Sequence, residues 1–128
     1  MAKHLVFVYG TLRKGGSNDH FLNKAVYIEE KCFAEGQLYD TGFGYPALVV
    51  ESGKWVTGEL YKVTSDDLKR LDRLEDFEEN GTNNLYDRII ATIRTTVGEI
   101  EALLYIMKKK EKHFLPIPEN DWLKYFNK

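Results

Sequence analysis

Leu5 to Tyr9 (Leu-Val-Phe-Val-Tyr) is apolar at every position, rich in β-branched and aromatic residues, and stops at Gly10. A run with no polar face predicts a central strand buried on both sides. Gly10 to Asn18 then reads as a loop with three glycines and two cations. Asp19 can cap one or two helical turns through Leu22 to Ala25. Val26 to Phe33 and Glu35 to Tyr39 predict strands, broken near Gly36 by a bulge. Asp40 to Pro46 is turn-rich. A short strand, Ala47 to Val50, and a Ser52-Gly53 turn lead into a longer strand, Lys54 to Val63.

Thr64 or Ser65 opens the best-defined helix, with Asp66 and Asp67 in its first turn, at the positive end of the helix dipole. The apolar period carries it to about Leu74–Asp76. A polar loop, Glu78 to Asn84, precedes two strands, Tyr86 to Thr95 and Glu99 to Met107, joined at Val97-Gly98. Ile89, Ala91 and Ile93 alternate with polar residues on the first; Ile100, Ala102, Leu104 and Ile106 share a face of the second. After the charged segment Lys108 to Lys112, the tail His113 to Lys128 carries Trp122, Tyr125 and Phe126, expected to pack back on the body. Many short strands with one good helix is an α+β pattern, not a doubly wound sheet.

The chain has 128 residues, enough for one domain with a single aromatic-rich core. Eighteen basic and 20 acidic residues give a formal charge of −2, which offers no electrostatic reason to bind nucleic acid or an anionic membrane. The first apolar run is too short for a signal-peptide core, and no stretch reaches the ~18 apolar residues of a membrane helix. A soluble, cytoplasmic domain is expected. The lone Cys32 permits neither an intrachain disulfide nor a cysteine metal cluster, and its strand position reads as core. His4, His20 and His113 lack helical His-x-x-x-His spacing, so no zinc site is expected, and His4 reads as a surface residue. No serine lies in a Gly-x-Ser-x-Gly elbow.

The loop Gly10-Thr-Leu-Arg-Lys-Gly15-Gly16-Ser17 nearly spells a phosphate-binding loop. Gly16, however, stands where the phosphate-reaching lysine is required, and no acidic strand end is placed to hold magnesium. The segment reads instead as a flexible glycine loop or as a nest of N–H groups for a small anion or carbonyl.

Glu75 is the more informative residue. At about 100° per residue, Leu68, Leu71 and Leu74 fall at about 0°, 300° and 240°, and Glu75 at about 340°, inside the apolar stripe. Asp72 lies on its edge at about 40°. An inward carboxylate costs several kcal/mol unless it is paired, hydrogen-bonded or neutralised. Three readings follow: an ion pair with Arg88 or Arg94, a frayed and solvated helix end, or a general base in a cleft.

Taken in order, Val6-Phe-Val-Tyr-Gly-Thr-Leu12 with Gly15 and Asn18, Gly58-Glu-Leu-Tyr-Lys-Val63, Leu71-Asp-Arg-Leu-Glu75 and Leu85-Tyr-Asp-Arg88 resemble the γ-glutamylcyclotransferase-like superfamily. Gly36-Gln-Leu-Tyr39, Tyr45-Pro46 and Tyr105 also fall where its pattern expects them, and Asn120-Asp-Trp122 follows it in part. The length and the Tyr-Gly-Thr-Leu motif are most similar to the γ-glutamylamine cyclotransferases, the AIG2-like branch. Asp76 departs from the glycine common at that place.

The resemblance implies a small mixed barrel-like sheet flanked by the Glu75 helix, and a reaction needing neither metal nor cofactor. A γ-glutamyl compound would cyclise to 5-oxoproline and release an amine or amino acid. Glu75 would be the general acid–base, Tyr9, Gly10, Thr11 and Leu12 the substrate-binding loop, and Tyr105 part of the pocket wall. A non-catalytic module that binds small carboxylates, or a hydrolase using the same cavity, stands as the alternative.

Overall fold

The computed structural model describes residues 3–16, 18–22, 25–75, 86–108 and 110–126. Five strands, β1 (Lys3–Val8), β5 (Trp55–Thr64), β2 (Val26–Glu35), β6 (Asp87–Thr95) and β7 (Gly98–Ile106), form a closed barrel in that order. All neighbours are antiparallel except β7 and β1, which meet in parallel at Val6 and Leu103 and so close the barrel. A second, three-stranded sheet has the order β4 (Pro46–Val49), β3 (Gln37–Asp40), β8 (Leu115–Pro116). The described residues also form two α-helices, α1 (Ser65–Leu74) and a short α2 (Trp122–Phe126).

The apolar run of β1 is buried on both faces, as its composition requires. Phe7 belongs to a cluster with Cys32, Val56, Leu60, Ile93 and Leu104, to which all five barrel strands contribute. Val6 and Val8 face the other way, against Tyr61, Val63 and the α1 residues Leu68 and Leu71. Cys32 is fully buried, its Sγ 3.5 Å from the Gly58 carbonyl, in keeping with a core residue.

Thr64 caps α1 reciprocally: its hydroxyl accepts from the Asp67 N–H, and the Asp67 carboxylate accepts from the Thr64 N–H. This capping box satisfies two helix-terminal donors and sets where the helix begins. It also lowers the Asp67 pKa, against the opposing effect of burial. Helical backbone ends at Leu74, and Glu75 is the C-cap.

Three expectations need correction or extension. The break at Gly36 is not a bulge within one strand. β2 ends there and the chain crosses into the second sheet, packed so closely that a Cβ on Gly36 would lie 2.8 Å from Leu48 Cδ2. The irregularities of β2 fall earlier, between Tyr27 and Glu29 and between Glu29 and Cys32. The tail does more than pack: β8 pairs with β3, and buried Asn120 accepts from the Leu38 N–H and donates to the Gly36 carbonyl. Trp122 is buried and Tyr125 bonds Asp40, while Phe126 stacks on Trp122 but stays largely exposed. His4 is half-buried, its Nε2 3.1 Å from Ser65 Oγ. The expected loop Glu78–Asn84 lies outside the described residues.

Candidate active site

The chain leaves β1 through Tyr9 into a loop that the protein holds from several sides. Arg13 N–H closes a turn on the Gly10 carbonyl at 3.0 Å, and Asn18 bonds Thr11 through both its N–H and its side chain. Lys14 N–H donates to Glu59 Oε1 at 2.8 Å, and Gly15 N–H to Asp19. Underneath, the buried Arg13 guanidinium donates to Glu59 Oε2 at 3.1 Å and to Asp121 at 2.8 Å, bolting the loop to β5 and to the tail. Sequence reasoning missed this pair. Its signal was a carboxylate, Glu59, inside a strand otherwise free of charge on its buried positions.

Gly10 is a glycine for steric reasons. Its backbone is outside the left-handed region, but a Cβ would stand 2.7 Å from Pro46 Cγ. The loop N–H groups of Arg13, Lys14, Gly15 and Gly16 have acceptors; among the described residues those of Gly10, Thr11 and Leu12 have none. Three such donors in succession suit an anion or a developing oxyanion.

Opposite the loop stands the end of α1. Leu68 and Leu71 anchor the helix in the core, and the Glu75 N–H still bonds the Leu71 carbonyl at 2.9 Å. One turn earlier, Asp72 accepts from Tyr105 Oη and from Arg88 Nη1, both at 2.5 Å. Arg88 therefore pairs with Asp72 and not with Glu75. Arg94 lies over the Trp55 ring and pairs with Glu99. Among the described residues the Glu75 carboxylate has no ion-pair or hydrogen-bond partner.

A cavity of about 210 Å³ lies between the two. Tyr9, Gly10, Thr11 and Leu12 line it with Val8 and Asn18 on one side, Leu74 and Glu75 on the other. Tyr105 completes one wall; Tyr45, Pro46 and Tyr86 complete another. All six residues singled out from the sequence thus border one space. Tyr45, Pro46, Tyr86 and Asn18 sat in the quoted motifs without an assigned role there. The volume is below the roughly 300–1,000 Å³ of drug-sized ligand sites, so it suits a small compound.

Burial pushes the Glu75 carboxyl up from 4.5 to about 7. Burial, with the nearby Glu75 charge a smaller contributor, also raises Tyr9 and Tyr86, so both stay protonated. Burial and the Asp72 hydrogen bond do the same for Tyr105. Tyr9 donates its proton to the Tyr105 carbonyl at 2.8 Å and Tyr86 to the Pro46 carbonyl at 2.7 Å. A phenol has one proton, so near Glu75 these groups can only accept. The cavity is thus lined by acceptors, at Glu75 and the tyrosine oxygens, and by donors, at the Gly10–Leu12 backbone. That combination matches an ammonium and a carboxylate on one small molecule.

Lys14 does not enter this space: its Nζ lies 4.7 Å from the centre of the Tyr27 ring. Among the described residues no cluster of three His, Cys, Asp or Glu could hold a metal ion, and no helix is long and apolar enough to cross a membrane.

The family model described as "Gamma-glutamyl cyclotransferase, AIG2-like" matches residues 6–124. A γ-L-glutamyl-butirosin B γ-glutamyl cyclotransferase of Niallia circulans is 37% identical over 121 residues, covering 94% of this chain and 76% of that protein. A putative γ-glutamylcyclotransferase of Vibrio cholerae is also 37% identical, covering 94% and 96%. Among solved structures, YkqA of Bacillus subtilis superposes with a TM-score of 0.78 at 29% identity, over 96% of this chain and 40% of that one. An AIG2-like protein of Mus musculus shares the fold with a TM-score of 0.75 at 24% identity, over 93% and 88% of the two chains. The motifs read from the sequence, the mixed barrel and these matches agree, and the chain belongs to the AIG2-like γ-glutamyl cyclotransferase family.

Proposed function

We propose that the protein is a cyclotransferase that converts a γ-glutamyl amine or γ-glutamyl amino acid to 5-oxoproline, with Glu75 as its general acid–base. The observation that carries this reading is a buried carboxyl, pushed up to about 7, lining a small cavity together with three backbone donors that have no acceptor among the described residues. The Niallia circulans relative, a γ-L-glutamyl-butirosin B γ-glutamyl cyclotransferase, supports the reaction class.

The chemistry follows from those groups. The substrate carboxylate sits at the Gly10–Leu12 N–H groups and its α-ammonium beside Glu75 and the tyrosine oxygens. Glu75 removes a proton from that nitrogen, whose lone pair then attacks the γ-carbonyl carbon. The new C–N bond closes a five-membered ring as the old amide C–N bond breaks. Glu75 hands this proton to the departing nitrogen, then takes the second proton that the new ring nitrogen must lose and passes it to the released amine. The amine leaves as an ammonium, so no proton is gained or lost overall. The attack is intramolecular, and holding the near-attack conformer can supply up to ~7–11 kcal/mol of the barrier. Tyr9, Tyr86 and Tyr105, fixed by their own hydrogen bonds, give the cavity a rigid shape for that purpose.

Incubation with a panel of γ-glutamyl amines and γ-glutamyl amino acids, followed by assays for 5-oxoproline and glutamate, tests the reading. 5-Oxoproline with equimolar amine supports it. Free glutamate would make the protein a hydrolase, and tight binding without turnover would make it a carboxylate-binding module.

A further inference from the structure

We propose that Phe43, Tyr45 and His113 form the subsite for the leaving group, selecting γ-glutamyl compounds whose departing nitrogen carries an aromatic or bulky apolar group. The proposal rests on the cyclotransferase reading above and extends it to substrate class. The cavity itself is sized for the glutamyl portion, so a large substituent on the leaving nitrogen must lie outside it, at the rim.

The rim is built for display. Gly42 and Gly44 take φ of 85° and 89°, a region open to glycine and strained for other residues, and they hold Phe43 out between them with 70% of its surface exposed. The loop is not slack: Gly42 N–H donates to Asp40 at 2.8 Å, and Thr41 Oγ1 to the Tyr45 carbonyl at 2.7 Å. Nor does the Phe43 ring stand alone. Its centroid is 6.4 Å from Tyr45 in a stacked arrangement and 5.8 Å from His113 edge-on. Tyr45 in turn lies 6.3 Å from Tyr86, and both line the cavity. Ring surface therefore runs without interruption from the reaction site to solvent.

Aromatic faces accept apolar and aromatic groups, and also cations. The segment that brings His113 to the rim carries Lys112, exposed, and Lys110, whose Nζ lies 5.4 Å from the Tyr39 ring. Glu111 stands between these two lysines in sequence, and Asp40 at the foot of the loop, so it is the ring surface and not the charge that selects the leaving group.

The test compares γ-glutamyl-benzylamine with γ-glutamyl-methylamine on the whole protein, measuring kcat/KM by 5-oxoproline release. Wild type should prefer the benzyl substrate. Phe43→Ala should lower the ratio of the two kcat/KM values by about three- to tenfold, the range that one aromatic pair supplies, and Phe43→Trp should restore it. A wild-type ratio at or below one, or a ratio untouched by Phe43→Ala, overturns the subsite while leaving the cyclotransferase reading intact. No 5-oxoproline from either substrate overturns that reading, and the subsite with it.

Discussion

The Tyr105 hydroxyl on β7 donates to Asp72 Oδ1 at 2.5 Å, joining the wall of the barrel to the last turn of α1 three residues before Glu75. Arg88, directly across the ladder from Tyr105, holds the other oxygen of the same carboxylate. The turn that presents Glu75 is thereby fixed against both β6 and β7.

Breaking that tie should be felt in stability first. Tyr105→Phe removes a hydrogen bond to a charged acceptor and should cost about 1.5–3 kcal/mol. Asp72→Ala leaves Arg88, largely shielded from water, without this partner, and should cost about 2–3 kcal/mol, below the figure for fully buried pairs. Urea unfolding at pH 7 measures both. Equal midpoints for wild type and Asp72→Ala would show that the tie contributes nothing.

Glu75→Gln keeps the shape of the side chain and removes its ability to take a proton. Turnover should fall by at least ~10²-fold, the scale of a general base, with the mutant still folded. In wild type the acidic limb of kcat/KM should lie at about 7, because the free enzyme must lose the Glu75 proton to act. The kcat limb should lie lower, since a bound ammonium favours the carboxylate. A fully active Gln variant would remove Glu75 from the mechanism.

The same carboxyl sets a stability trend opposite to that of ordinary surface carboxylates. Its folded-state value is raised above the unfolded one, so its contribution is fully present below pH about 4.5 and is lost as pH rises through about 7. The difference is worth up to about 3 kcal/mol for a displacement from 4.5 to about 7. Wild type minus Glu75→Gln stability, followed by thermal unfolding from pH 4.5 to 8, should decline over that window. A flat difference would place Glu75 in solvent.

Gly10→Ala should harm binding and fold together, because its Cβ would stand 2.7 Å from Pro46 Cγ at the cavity wall. Overpacking of this kind costs roughly 1–3 kcal/mol. Calorimetric titration should show 5-oxoproline binding to wild type weakened at least tenfold in Gly10→Ala, little changed in Lys14→Ala, and no binding of Mg-ATP to any of them. Micromolar ATP binding that depends on Lys14 would restore the phosphate-loop reading.

Local pattern carried much of this protein. The unbroken apolar run of β1 stated that both its faces would be covered, and Phe7 and Val6 indeed pack into different clusters. The spacing of Leu68 and Leu71 oriented α1, and it put Glu75 on the covered side before any partner was known. Side-chain period reports which face of an element is apolar, and that is a property of neighbours in sequence.

What it does not report is which surface that face will meet. The parallel contact of Val6 with Leu103, the Arg13–Glu59 pair and the pairing of Tyr39 with Pro116 join segments far apart along the chain. So does the choice of Asp72 over Glu75 as the partner of Arg88. Each was decided by register and packing among assembled elements. By composition either carboxylate on that helix face could have taken the arginine. Only the barrel, by placing Arg88 opposite Tyr105 and beside Asp72, left Glu75 at the cavity.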